Sequence, residues 1–408
     1  MPRYVVIPRT FQVVGRAVVE NPADRAEAIQ LRRAGFAQGI ISRLASRYAP
    51  TTDVTSLGNV KARSRIPHPD ESPRVKKLAA INVLLVEGPP DVKEFLSNDE
   101  EVESVLEEEI LSIPPPQRVT AAATPTPWHI AAIGADVAHV GGFTGKDVWV
   151  GIADTGIDGA HPEFLEKSVL FAEFDASGTQ ISALPHDSDQ HGTHVAGIAT
   201  GQNVGVAPEA SVAVALVLPG GGGTSPQVLA GLNWLVTLTR PDAKQGVDLI
   251  SLSLSASTPD GTSVYSSAYK PVIATIRALG IEVIAAIGNS GQGTHGSPGD
   301  YAQDVIGIGA IDKLNVPAAW SSCAKVAQEG NVSKPDFMAP GVDIYSSKPG
   351  GGYRLDSGTS MATPAAAGLA ALLLQQSGLS ADLASLFASH AKPLTGSRPC
   401  GGVAKLFF

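Results

Sequence analysis

Short apolar runs at residues 147–153, 212–218, 247–254, 282–287 and 305–310 alternate with segments of helical character at 191–200, 226–237, 268–279 and 363–376. This alternation is the strongest constraint on the fold. It predicts an α/β architecture, a parallel sheet covered by helices on both faces. There is no internal repeat, and the only low-complexity tract is the glycine run 220–223.

The chain before this pattern reads differently. Residues 4–7 form a short apolar strand, and Asn21 followed by Pro22 has the form of a helix N-cap with proline in the first turn. Phe36, Ile40 and Leu44 recur at four-residue spacing and place an apolar face on that helix. A strand at 78–86, a helix opened by Pro89 and Pro90 and running through Leu96, and a strand at 102–113 complete a small α+β, ferredoxin-like unit of the split βαβ type. Residues 114–127, PPPQRVTAAATPTP, carry neither period and read as an exposed, protease-accessible linker. The expected domains are therefore 1–113, the linker 114–127, and 128–408.

At 408 residues, 43% hydrophobic and 17% charged, the chain suits a two-domain globular protein. A net charge of −9 argues against a nucleic-acid partner. Two cysteines, Cys323 and Cys400, make neither a disulfide scaffold nor a cysteine-rich zinc site; one bridge and two free thiols both remain open. The N-terminal apolar run is too short for a signal peptide, and no stretch approaches the roughly 20 apolar residues of a membrane span. No membrane role is expected. The compartment stays open: secreted if a leader was removed, otherwise cytoplasmic or exported by another route.

Four short motifs lie where strands end or helices begin. Asp154 of DTGID ends the first of the five runs, where a carboxylate can hold an imidazole in one tautomer. His191 opens HGTHVAG and can take and return a proton near neutral pH. Ser360 of GTSMATP precedes a long apolar helix, beside a positive dipole end. Asn289 ends a strand in AAIGN and can donate its amide to an oxyanion. Singly, these are turn and cap residues. Together they supply a nucleophile, its base, an orienting carboxylate and an oxyanion donor. His191 and His194 as a metal pair is disfavoured, since no HExxH glutamate separates them.

With DTGID, HGTHVAG, LISLSLS (249–255), AAIGNSG and GTSMATP, joined by GVAPEA (205–210) and FMAPGVDI (337–344), the chain from about 126 to 396 resembles the subtilisin-like serine proteases, the subtilase family. The resemblance implies Asp154, His191 and Ser360 as the triad, with Asn289 and the Ser360 N–H as the oxyanion hole. It implies peptide-bond hydrolysis through an acyl-enzyme with no cofactor, acting on proteins or peptides as a monomer. It places Ser253, Leu254 and Ser255 on one edge of the substrate groove, Gly220, Gly221 and Gly222 on the other, and Gly296 at the base of the main specificity pocket. Ser255 stands where the family commonly has glycine.

The first unit resembles the family's inhibitory prodomain, a folding assistant cut off by its own protease. Its self-cleavage is expected between Gln117 and Thr124, because the flanking prolines make poor scissile partners. Glu107, Glu108 and Glu109 read either as caps on catalytic-domain helices or as an exposed charge run. After HGTHVAGIATGQN the chain passes directly to VGVAPEA, so the loop that binds a tight structural calcium in many relatives is expected to be missing, with weaker calcium sites still open.

Three rivals are set beside this reading. The DTG and DSG motifs at Asp154 and Asp356 fit an aspartic protease, but that fold is nearly all β and leaves HGTHVAG unexplained. A relative with Glu for His conflicts with the intact HGTH motif. A catalytically silent or permanently self-inhibited binding protein conflicts with four intact positions.

Overall fold

The computed structural model describes residues 1–9, 25–33, 37–48, 73–115, 117, 127–258, 262–394 and 404–408. By its contacts the chain divides into Met1–Gly15 with Ile29–Glu108, and Arg16–Ala28 with Glu109–Phe408.

The first unit contains β1 (Arg3–Pro8), most of α1 (Arg25–Arg33), α2 (Gln38–Tyr48), β2 (Arg74–Leu78), β3 (Val83–Glu87), α3 (Asp91–Ser97) and β4 (Val102–Glu107). Among the described residues its sheet has four strands in the order β2-β3-β1-β4, every pairing antiparallel. Strands β1 and β2 thus flank β3, the arrangement of a split βαβ fold. Tyr4, Val6, Leu84 and Val86 of the sheet pack with Ile40 and Leu44 of α2 and Val92 and Leu96 of α3. The run 78–86 is not one strand: Leu78 ends β2, a 3-10 turn at Ala79–Ile81 and a left-handed Asn82 (φ 57°) follow, and β3 begins at Val83. The helical stretch is likewise divided into α1 and α2; Asn21, Pro22 and Phe36 lie outside the described residues.

The second unit begins with β5 (Ile110–Ser112), α4 (Trp128–Ala132), α5 (Ala135–Val140), β6 (Trp149–Asp154), β7 (Val169–Phe174), β8 (Gln180–Ser182), α6 (His191–Thr200) and β9 (Ser211–Leu216). It continues with β10 (Gly222–Thr224), α7 (Ser225–Thr237), β11 (Leu249–Leu252), β12 (Ser255–Ala256), α8 (Lys270–Ala278), β13 (Glu282–Ala286) and β14 (Ile306–Ile311). After these come β15 (Ala324–Val326), β16 (Val332–Lys334), β17 (Phe337–Pro340), β18 (Ile344–Lys348), β19 (Gly352–Asp356), α9 (Thr359–Ser377), α10 (Leu383–Ser389), β20 (Ala391–Lys392) and β21 (Ala404–Leu406).

Among the described residues the main sheet has ten strands, β20-β21-β17-β14-β13-β11-β6-β9-β7-β8. Every pairing from β7 to β21 is parallel, and the edge strands β8 and β20 are antiparallel. Strands alternate their faces, and both faces are buried. Val150, Ile152, Val212, Val214 and Ile308 pack toward α6 and α9. On the other face Ala215 and Val217 approach α7 so closely that a Cβ at Gly231 would sit 3.1 and 2.4 Å from them.

Helix α9 is buried from Thr359 through Leu374 and starts four residues earlier than the expected 363–376. Ser360 therefore lies inside its first turn, and Pro364 lies inside the helix. Proline has no N–H to give the carbonyl four residues back. That carbonyl belongs to Ser360, and the Ser253 hydroxyl donates to it instead at 2.9 Å. Strand β5 is a separate element: it pairs with β10 and β12 and does not continue β4. Cys323 is disulfide-bonded; the chain's other cysteine, Cys400, lies outside the described residues. No helix among the described residues is long and apolar enough to cross a membrane.

Candidate active site

The carboxyl ends of β6, β11 and β13 and the N-termini of α6 and α9 bring the sequence motifs together, as parallel sheets do. Asp154 is the last residue of β6 and fully buried. Its Oδ1 accepts the Thr155 N–H at 2.7 Å, and its two oxygens lie 2.8 and 3.0 Å from His191 Nδ1. The carboxylate makes Nδ1 the donor and leaves Nε2 as the free base. Burial alone lowers the His191 pKa, but the Asp154 carboxylate outweighs it, with Asp356 and Asp187 adding, so the pKa stands above the ordinary histidine value.

His191 is the first residue of α6, and its position is held by a brace the sequence reading missed. Asp187 accepts Thr155 Oγ1 at 2.7 Å, Thr193 N at 2.8 Å and Thr193 Oγ1 at 2.6 Å, tying the turn after β6 to the first turn of α6. Thr155 Oγ1 in turn accepts the Gly192 N–H at 2.8 Å. The two segments lie so close that a Cβ at Gly192 would fall 2.1 Å from the Gly156 carbonyl oxygen, so no other residue fits. An aspartate shortly before HGTH was the available signal, but Asp is ordinary turn chemistry. His194 is not a second ligand. Its buried Nε2 donates to the Ile344 carbonyl at 3.1 Å, and burial lowers its pKa to about 3, which keeps it neutral.

Ser360 Oγ lies 3.4 Å from the Ser253 carbonyl, to which it donates, while His191 Nε2 is buried without a hydrogen-bond partner. Ser360 Oγ and His191 Nε2 therefore make no hydrogen bond to each other in this structure. Such bonds commonly tighten only in the reacting complex. Asn289 is oriented by another residue the sequence reading missed. Thr359 gives both its N–H (2.9 Å) and its hydroxyl (2.8 Å) to Asn289 Oδ1. With Oδ1 so fixed, the Nδ2 group points outward and donates to the Pro115 carbonyl at 3.1 Å.

The residues expected to edge the groove lie on either side of one strand. Strand β5 lies between β10 and β12 as an antiparallel third strand, Leu111 opposite Gly223 and Ala256, Ser112 opposite Gly222 and Ser255. The Ile113 N–H continues to the Gly221 carbonyl at 3.0 Å, and Gly220 begins the same edge. Ser253 joins the opposite edge to the Ser360 carbonyl, and Leu254 is buried beside it. At Gly296 a Cβ would meet the Cβ atoms of Ser263 at 2.8 Å and Ser255 at 3.2 Å. The Ser255 and Ser263 hydroxyls lie 3.2 Å apart, so Ser255 fills space that a glycine would leave open. Of the acidic run, Glu109 meets α7: its carbonyl accepts the Ser225 N–H at 2.8 Å and its carboxylate the Ser266 hydroxyl at 2.9 Å. Glu107 and Glu108 instead pair with Lys93 (2.6 Å) and Arg3 (3.0 Å).

Where the resemblance led to the expectation of a missing calcium loop, the chain closes a short turn on a carboxylate. Glu163, fully buried, accepts Asn203 N (2.7 Å), Val204 N (3.3 Å), Asn203 Nδ2 (3.1 Å) and Tyr353 OH (2.7 Å). Among the described residues no group of three His, Cys, Asp or Glu side chains is placed to hold a metal ion. The aspartic-protease pairing is not formed: Asp154 holds His191, and Asp356 pairs with Arg354 at 2.9 Å.

The profile of the subtilase family matches residues 145–390. The chain belongs to the subtilase family. It is 37% identical to Subtilisin E of Bacillus subtilis (strain 168) over 265 residues, 62% of each chain. It is 36% identical to the Subtilisin of Bacillus pumilus over 265 residues, which are 62% of this chain and 86% of that one. Thus the match spans somewhat less than two thirds of the length of Subtilisin E. The fold is similar to the crystal structure of a cold adapted subtilisin-like serine proteinase, with a TM-score of 0.54 and 28% identity over 65% of this chain and 90% of that one.

Proposed function

We propose that this subtilase is a serine endopeptidase that hydrolyses peptide bonds of proteins through an acyl-enzyme, works as a monomer, and is made as a self-processing precursor whose first unit and tail inhibit it. The observation that carries the reading is the Asn289 amide on the Pro115 carbonyl, at the end of a peptide held as a strand between β10 and β12. A carbonyl so held is where an oxyanion would develop. In the reaction His191 Nε2 takes the Ser360 proton as Oγ attacks the carbonyl carbon. Asn289 Nδ2 and the Ser360 N–H hold the oxyanion, and Asp154 stabilises the imidazolium. His191 then protonates the leaving amine, and water repeats the sequence to release the acyl group.

The tail's register sets the condition that separates processing from a permanently self-inhibited chain. With Pro115 at Asn289, the next bond is Pro115–Pro116, whose nitrogen bears no hydrogen. Self-cleavage between Gln117 and Thr124 then requires the tail to advance along the groove. Intact-mass spectrometry of the purified chain during incubation separates the two readings. Processing yields two fragments whose masses sum to the chain plus one water. Asn289→Ala slows their appearance by about 10²–10³-fold, the range that loss of this kind of donor costs a subtilisin. A chain that stays whole, with no hydrolysis of added peptides, leaves the blocked reading standing.

The pH profile follows from the base. Only neutral His191 can accept the Ser360 proton, and its raised pKa keeps the inactive imidazolium to higher pH. Activity therefore falls as pH drops through that raised value, and the acid limb of kcat/KM has its midpoint above the ordinary histidine value of about 6.5. A midpoint at or below that value would remove the Asp154–His191 pair as its cause.

A further inference from the structure

Far along the chain from the tail, the second unit holds another piece of sequence that precedes the linker. Arg25, the first residue of α1, belongs by its contacts to the second unit and is 1% exposed. Its guanidinium donates from Nε to the Leu279 carbonyl (3.0 Å) and from Nη1 to the carbonyls of Val247 (2.6 Å) and Gln245 (3.1 Å). From Nη2 it donates to the Gly280 carbonyl (3.3 Å). Its described partners are thus backbone oxygens from two separate segments.

The segments are shaped for this. Leu279 and Gly280 follow the last residue of α8, where unsatisfied carbonyls and the negative end of the helix dipole favour a cation. On the other side Gly246 has φ +71°, open to glycine at little cost. That turn sends the carbonyls of Gln245 and Val247 to Arg25, while the Gly246 carbonyl goes to Arg240 Nε. Arg240 is itself buried and paired with Asp248 at 2.6 Å, so it is committed elsewhere. A lysine presents three donors from one point and cannot span both segments as a planar fork does. Burial lowers the Arg25 pKa to about 10, so the group remains a cation at neutral pH.

We propose that the carbonyls of Gln245, Val247, Leu279 and Gly280 form a guanidinium socket on the second unit, and that Arg25 in this socket is a latch that retains the N-terminal product after the linker is cut. The proposal rests on the reading that the linker is processed, and goes beyond it: cutting and release become separate steps, and release requires Arg25 to leave its socket as well as β5 to leave the groove.

The test uses the full chain with Ser360→Ala and a recognition sequence for a site-specific protease inserted after Thr124, so that an added protease makes the cut. Self-processing then plays no part, and its failure cannot be mistaken for failure of the latch. Dissociation of the nicked complex is followed by dilution and size exclusion. Arg25→Ala and Arg25→Lys should each speed dissociation at least tenfold, with the melting temperature of the separated catalytic fragment unchanged between them. On the unsubstituted nicked complex, ethylguanidinium should speed dissociation where ethylammonium at the same concentration does not. Equal dissociation rates for the Arg25 variants and the parent, or equal effects of the two cations, overturn the proposal. If neither variant folds, the cation comparison decides alone.

Discussion

On the proposed mechanism, the full chain carrying Ser360→Ala stays a single polypeptide and hydrolyses peptide substrates at least about 10⁴-fold more slowly than the parent. The effect is this large because each other part of the site acts through the Ser360 oxygen. Asp154 holds His191 at 2.8 Å, and Asn289 is turned outward by Thr359. None of these supplies a nucleophile. The fold should be untouched, since Ser360 Oγ makes one long bond, 3.4 Å to the Ser253 carbonyl, and its own carbonyl keeps the Ser253 hydroxyl. Mass spectrometry and a peptide assay with the first unit removed by an added protease check both halves. A variant that still cuts itself would end the assignment of the nucleophile.

Glu163→Ala lowers the stability of the second unit by about 3–5 kcal/mol, because it strips the acceptor from the buried Val204 N–H, the Asn203 N–H and side-chain amide, and the Tyr353 hydroxyl at once. At roughly 2–4 °C per kcal/mol this is about 10 °C in melting temperature. The loss should be local in origin: the turn at Asn203 and Val204 opens, and with it the C-terminal end of the helix that carries His191. Thermal unfolding in the Ser360→Ala background avoids digestion of unfolded chains. A melting temperature within a degree or two of the parent would mean that water replaces the carboxylate without cost, and the turn would need another explanation.

Much of this was legible in the sequence, for physical reasons that differ by element. Helix α6 was read to the residue, 191–200, because its run of small and apolar residues between His191 and Gly201 suits a fully buried helix. The start of α9 was misread because Gly-Thr-Ser looks like a cap and Pro364 like a first-turn proline. What overrides that pattern is tertiary: Ser253 takes the carbonyl that proline orphans. The β2–β3 connection was hidden because Ala79–Ile81 is apolar and leaves Asn82 as its one polar turn residue. Asp187 and Thr359 were invisible as site residues because their roles are to orient others across the fold. Arg25 reads, in sequence, as one more cation on an amphipathic helix; only the two converging carbonyl pairs reveal otherwise.

The order of the parallel strands has a further consequence. The site draws on Asp154 at the end of β6, Ser253 after β11, Asn289 after β13 and Ser360 in α9, and the parallel strands that gather them are paired through long connections. Each such contact closes a large loop before it returns any stabilisation, which makes folding slow. A chain emerging in sequence order delivers Ser360 last. On the proposed mechanism, peptide hydrolysis therefore waits until the sheet that gathers Asp154, His191, Asn289 and Ser360 has formed.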